Sequence, residues 1–184
     1  NNWFDPFFIL ENLSPEEKLI QKNVKDFSNN VLRPNVVANN RDHKFDTDLY
    51  KEFGRLGLLG STVKSHGGAG ASSAAYGLIA YEIEKIDSSY RSSISVQSSL
   101  VIHPIESFGS DEQKERYLPE LISGIKIGCF GLTESEAGSD PSSMKTTYKK
   151  NQNGYILNGS KNWITNAPIA DVFIIWALNE KLET

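Results

Sequence analysis

"CFGLTESEAGSDPSS", residues 129–143, opens on apolar and aromatic residues, then breaks into small polar residues, acids, a glycine and a proline. The chain before it reads as helices and the chain after it as short strands, so this segment decides the fold. Taken alone, Gly138-Ser139 ahead of Asp140-Pro141 can turn the backbone so that successive amides face one side, beside a hydroxyl. Such a concavity suits a phosphate or pyrophosphate without a lysine. The spacing is neither GxxxxGK[ST] nor GxGxxG. A polar loop between two strands is the simpler reading of these residues by themselves.

Upstream, Ser14-Pro15-Glu16-Glu17 is a capping box with proline in the first turn. Ile20, Val24, Phe27 and Val31 follow at helical spacing, and Pro34 is expected to end or bend that helix. A second helix is expected over 48–56, with Leu49, Phe53 and Leu56 on one face, and a third over 73–86. A fourth follows Arg91, with Pro104 near its end. "GSDEQKERYLPELISG" (109–124) is expected to form an acid-capped helix closed by Pro119 and Gly124.

Downstream, "IGCFGLTE" (127–134), "MKTTYKK" (144–150), "GYILNGSKNWIT" (154–165) and "DVFIIWAL" (171–178) are short β-rich runs. "NQNG" and "LNGS" mark tight turns. A boundary is expected near residue 127, giving a helical domain over 1–127 and an incomplete β-domain over 128–184. Trp163 and Thr165, two apart, would share one face of a strand, where plane and hydroxyl could hold the edge of a flat heterocycle. By itself, Trp163 fits a core tryptophan better. Cys129 is expected to be buried rather than nucleophilic, and His103 to be a satisfied structural histidine.

One basic residue stands apart. "SSYRSSISVQSS" (88–99) places Arg91 among seven serines. Small hydroxyl neighbours leave room in front of a guanidinium that can grip a carboxylate or phosphate with two parallel bonds. Glu84, two turns earlier if the helix continues, could hold the arginine in place. Anion binding and a structural ion pair are equally compatible with this spacing.

The 184 residues are 39% hydrophobic and 23% charged, ordinary for a globular protein, and suffice for one sizeable core. A net charge of −4 argues against nucleic acid or an anionic membrane as the main partner. A single cysteine excludes an intrachain disulfide and points to a reducing compartment. No stretch approaches the length of a membrane span, "NNWFDPFFIL" lacks the pattern of a signal peptide, and no metal-ligand spacing is present.

Taken in order, "GSDEQKERYLPEL", "CFGLTESEAGSD" and "NGSKNWITN" resemble the acyl-CoA dehydrogenase family, and the likeness runs over nearly the whole chain. Within that family, "GAGASSAAYGLIAYEIEKIDSSYRSSISVQSSLVIHPI" (68–105) is similar to its glutaryl-CoA-oxidising branch. The resemblance implies an α+β fold: an N-terminal all-α domain, then the first part of a β-domain, with a C-terminal helical bundle absent from this chain. It implies FAD as cofactor, lined by Phe130, Gly131, Leu132, Thr133, Gly138 and Ser139 on one side and by Trp163, Ile164 and Thr165 on the other. Thr133 and Thr165 would hydrogen-bond the flavin, Trp163 would pack on its ring, and Ser139 would also meet the thioester.

By the same resemblance, Arg91 and Ser92 would bind the free carboxylate of glutaryl-CoA, with Glu84 orienting the guanidinium. The implied chemistry is α,β-dehydrogenation, with decarboxylation to crotonyl-CoA and CO2. Implied partners are an electron-transferring flavoprotein and sister subunits of a homotetramer. The compartment would be the mitochondrial matrix in a eukaryote or the cytoplasm in a bacterium. The catalytic glutamate is expected in the missing bundle, which assigns no catalytic base to Glu134 or Glu136. A different class of reading is a naturally short, non-catalytic module that binds flavin or acyl-CoA; another is a dehydrogenase of a different short acyl-CoA.

Overall fold

The computed structural model describes residues 5–179. Helix α1 (Pro15–Phe27) starts where the capping box stands: Ser14 Oγ accepts from the Glu17 amide, and the Glu17 carboxylate accepts from the Ser14 amide. The helical path does not end at Pro34. It widens into a π-helical turn over Ser28–Leu32 and continues as α2 (Arg33–Arg41). Proline has no N–H for the carbonyl four residues back, and its ring strikes that carbonyl in a regular turn. A wide turn, closed by the Arg33 N–H on the Ser28 carbonyl, relieves the clash. It also inserts one residue into the apolar stripe: Leu32 is 1% exposed, whereas the expected Val31 is 39% exposed.

Helices α3 (Leu49–Arg55), α4 (Ser73–Glu84) and α5 (Ser88–Ser95) follow. The path from α5 passes through a second π-helical segment, Val96–Ile102, into α6 (His103–Phe108), again just ahead of a proline, Pro104. Helix α7 (Asp111–Ile122) carries a second capping box, formed by Ser110 and Gln113. Pro119 lies inside α7 rather than at its end. The stop is Gly124, at φ +74°, where a Cβ would lie 1.9 Å from the Tyr50 carbonyl oxygen.

The helices close around one core that includes Phe27, Leu32, Tyr50, Phe53, Ile79, Ile83, Val101 and Leu118. Phe27, Phe53 and Tyr50 meet edge to face at 6.0 Å between ring centres.

Strand β1 (Gly128–Gly131) pairs in parallel with β4 (Val172–Ile175), Gly128 opposite Val172. Between them in sequence, β2 (Thr147–Asn151) and β3 (Gly154–Asn158) form an antiparallel hairpin around Gln152-Asn153, the turn expected from "NQNG". The hairpin joins the chain after β4 through Tyr148 N–H on the Leu178 carbonyl and Leu178 N–H on the Thr146 carbonyl, at 2.9 and 2.8 Å. The β1–β4 pair sits on the helical core, which Val172 and Ile174 pack against.

Gln97, fully buried on the second π-helical segment, stitches the two parts together. Its amide nitrogen donates to the carbonyls of Leu121 and Lys126, each at 2.9 Å, and its oxygen accepts from Gly128 N–H at 2.8 Å. Every polar position of that side chain facing the junction is used, as burial demands. The fold is α+β, a helical part followed by a small β part.

Candidate functional site

The strand expected through Trp163 and Thr165 does not form. β3 ends at Asn158, and residues 159–166 run as loop and turn. Trp163 adopts φ +60°, a left-handed conformation uncommon for a bulky residue, and is 91% exposed. It is therefore not a core tryptophan. Its large apolar ring stands uncovered on a strained backbone.

This loop is held against the end of β1. The Asn162 amide donates to the Thr133 carbonyl at 2.9 Å, so Trp163 directly follows the residue bonded to Thr133. Phe130 is half-buried and meets Trp176 edge to face; Gly131 is buried, and its carbonyl accepts from Trp176 N–H at 3.0 Å. Leu132 packs on a small cluster of Ala137, Met144 and Leu178. Ile164 is half-buried and accepts from Ala167 N–H, while Thr165 is exposed.

Past β1 the loop is open. Gly138 and Ser139 are exposed, and Asp140 accepts from Ser142 N–H at 3.2 Å to cap the short 3₁₀ turn Pro141–Ser143. The amides of Thr133, Gly138 and Ser139 donate to no described residue, and the hydroxyls of Thr133, Ser139 and Thr165 are equally unpartnered. Unpaired donors beside an uncovered aromatic plane are what a flat heterocycle with a phosphate tail requires.

Beneath this surface lies an ion pair that the sequence reading missed. Lys161 Nζ is 2.8 Å from Glu134 Oε1 and also donates to the Leu132 carbonyl at 2.9 Å; the two side chains are only 8% and 9% exposed. Glu134 further accepts from the amides of Lys145 and Thr146 at 2.7 and 3.0 Å. Burial alone would push this carboxyl up. The Lys161 ammonium and the two amides override it and hold the group at about 2. Glu134 is thus a charged structural acceptor engaged by three donors, and Glu136 is engaged by Lys145. The only sequence signal for the pair was that a lysine and a glutamate occur in two segments that the resemblance places together.

Arg91 belongs to a second group, on the helices. Helix α4 ends at Glu84 and α5 begins at Ser88, so the pair does not share one continuous helix. Arg91 Nε nevertheless donates to Glu84 Oε2 at 2.6 Å, and Ser88 Oγ donates to Glu84 Oε1 at 2.6 Å. These two bonds, Ser88 first, hold the Glu84 carboxyl below its ordinary range. The terminal guanidinium nitrogens of Arg91 bond to no described residue. The serines divide their duties: Ser93 bonds the Ser89 carbonyl, Ser98 accepts from Gly60 N–H, and Ser99 meets Tyr76. Ser92, half-buried beside Arg91, has no side-chain partner among the described residues. Gln97 is one link between the helical and β parts, and the buried Tyr50, which interacts with Ser93 and Asn166, lies between this group and the loop around Trp163.

Two further expectations resolve. Cys129 is fully buried, and burial pushes its thiol up. His103 is exposed and its imidazole bonds to no described residue, so it is not the satisfied core histidine expected. Among the described residues no group of three or more His, Cys, Asp or Glu could hold a metal ion, and no helix is long and apolar enough to cross a membrane.

The geometry has counterparts in known proteins. Residues 14–125 match the model of the acyl-CoA dehydrogenase N-terminal domain, and residues 129–184 match that of the middle domain. The chain belongs to the acyl-CoA dehydrogenase family. It is 39% identical over 167 residues to an acyl-CoA dehydrogenase of Bacillus subtilis, covering 90% of this chain and 44% of that protein. It is 38% identical over 171 residues to the mitochondrial isovaleryl-CoA dehydrogenase of Pongo abelii, covering 91% and 40%. Among solved structures, a glutaryl-CoA dehydrogenase from Mycobacterium smegmatis in complex with FADH2 superposes with a TM-score of 0.92 at 42% identity, covering 95% of this chain and 45% of that one. The chain thus spans less than half the length of these relatives. The uncovered Trp163 ring and the unpartnered donors of Thr133, Gly138, Ser139 and Thr165 fit a flavin nucleotide such as that neighbour holds.

Proposed function

We propose that this chain forms the helical and flavin-facing part of an FAD-dependent enzyme that oxidises glutaryl-CoA. The observation that carries the substrate is the state of Arg91. Its Nε is anchored by Glu84 while its terminal nitrogens carry no partner among the described residues, and Ser92, next in the sequence, keeps an unpartnered hydroxyl. A guanidinium fixed at one edge and open at the other is pre-organised for a carboxylate, because little side-chain freedom remains to be lost on binding. Glu84 stays ionised through Ser88 and Arg91, so it keeps the arginine aimed rather than competing as a proton donor.

Around the cofactor, Thr133, Gly138, Ser139 and Thr165 supply hydrogen-bond donors, and Phe130, Leu132, Trp163 and Ile164 supply apolar surface. When bound, FAD supplies the acceptor for a hydride from the β-carbon of the thioester. The α-proton goes to a carboxylate outside these residues, since Glu134 is committed to Lys161. This reading extends to loss of CO2 after dehydrogenation, to an electron-transferring flavoprotein as electron acceptor, and to a homotetramer. It includes a matrix or bacterial cytoplasmic setting.

In the full-length protein, Arg91→Met should raise KM for glutaryl-CoA by about a hundredfold, the loss expected of a charge-assisted pair. KM for butyryl-CoA, which has no distal charge, should change by less than about threefold. Steady-state turnover of both substrates with an artificial acceptor checks this, and CO2 release with glutaryl-CoA checks the decarboxylation. Equal losses on the two substrates would remove Arg91 from substrate choice.

A further inference from the structure

The loop bearing Trp163 and the end of β1 come from distant parts of the sequence, yet a flavin would need them in one fixed relation. Backbone bonding offers one link, the Asn162 amide on the Thr133 carbonyl at 2.9 Å. Side chains supply the rest: Asn166 donates to the Gly128 carbonyl at 3.0 Å, and Lys161, two residues before Trp163, reaches the Leu132 carbonyl at 2.9 Å and Glu134 at 2.8 Å. Its stem passes over Gly131: a Cβ there would lie 3.4 Å from Lys161 Cγ and 2.6 Å from Ile175 Cδ1. A lysine side chain that is 8% exposed must have its charge compensated, and here the oxygen partners, Leu132 and Glu134, come from the stretch that precedes the open loop.

We propose that Lys161 is a positioning residue of the flavin site: bonded to Leu132 and Glu134, it sets the register of the 159–166 loop against residues 131–134 and so aims the Trp163 ring at the cofactor. Lys161 touches no reacting atom in this scheme. It acts through the carbonyl just before Thr133 on one side and through the backbone leading to Trp163 on the other. Left-handed φ at Trp163 costs energy, and such a conformation persists only where its surroundings over-determine it. The doubly bonded lysine, two residues away, adds a buried side-chain restraint to the Asn162 amide bond next to it.

This rests on the FAD reading above, and the test separates the two. Lys161→Met leaves Glu134 charged and buried and can fail to fold, so Lys161→Met combined with Glu134→Gln, which removes both charges, is the working variant. FAD affinity and the visible absorption band of the bound flavin are measured for the full-length protein, for this double variant, for Trp163→Phe, and for all three changes together. The double variant should weaken FAD binding by about tenfold and shift the flavin band, while in the Trp163→Phe background the same pair of changes should cost less than about twofold. A full loss in both backgrounds would mean that the ion pair only holds the fold, and would overturn the proposal. An unchanged affinity and band would overturn it as well. Failure of the unaltered protein to bind FAD at all would sink the cofactor reading together with this inference.

Discussion

The junction around Gln97 and the loop around Trp163 treat their polar groups in opposite ways. In the helical part, the one fully buried glutamine spends its donors and its acceptor on three backbone groups, and the core rings interlock. In the β part, a tryptophan stands 91% exposed on a left-handed backbone while amides and hydroxyls around it lack partners. Closed satisfaction is what stability requires, since each unpaired buried group is costly. Open, unpartnered donors on a strained loop are the expected mark of a surface awaiting a ligand. The contrast sets a closed junction beside an open loop surface, while the helical part keeps one open group of its own, the guanidinium of Arg91.

The sharpest way to break this contrast is to cut the stitch between the halves. Gln97→Leu removes three hydrogen bonds; the Leu121 carbonyl keeps the Gly124 amide, but the Lys126 carbonyl and the Gly128 amide lose their partner, and the change should cost about 3 kcal/mol of unfolding free energy. Urea denaturation measures it, and a loss under about 1 kcal/mol would show that the junction is not held by this residue. A smaller effect concerns acid. Glu134 is held at about 2 in the fold, below its value in an unfolded chain. Its contribution is therefore fully present above the ordinary carboxylate range and is lost as pH falls through that range toward about 2. Lowering the pH through that window should remove about 2 kcal/mol that Glu134→Gln does not lose, read as a difference between the two denaturation curves.

The smallest effect sharpens the contrast. Trp163→Gly removes a side chain that packs on little and relieves a left-handed φ, so the stability of the flavin-free protein should stay within about 1 kcal/mol of the original or rise. FAD affinity should fall at the same time, in a titration followed by flavin fluorescence. Marked destabilisation without flavin would show that Trp163 serves the fold after all.

How far the sequence revealed this depended on whether the relevant forces were local. Capping boxes at Ser14 and Ser110, the "NQNG" turn and the helical spacing of Val24 and Phe27 all act within a few residues, and the fold follows them. The stripe failed one step later, at Val31, because the demand of Pro34 on the turn before it is not part of a regular period. Pro119 was misread as a stop, although α7 carries on to Ile122 around it. Trp163 looked like core because an aromatic residue among β-branched neighbours usually packs inward; its exposure fits the flavin surface proposed for it. Lys161–Glu134 and Gln97 were invisible because their partners lie 24 to 31 residues away. The orientation of Arg91 by Glu84 was legible from spacing and survived even though the helix between them breaks.

The two wide turns ahead of Pro34 and Pro104 carry a consequence for how this chain tolerates change. Each holds one amino acid more than an ordinary turn without adding rotation to the rod, so shortening it by one would leave every later side chain facing its present direction. What such a deletion would remove is the clearance in which the pyrrolidine sits. Surplus residue and ring are thus a matched set, and losing either is safest when the other goes with it.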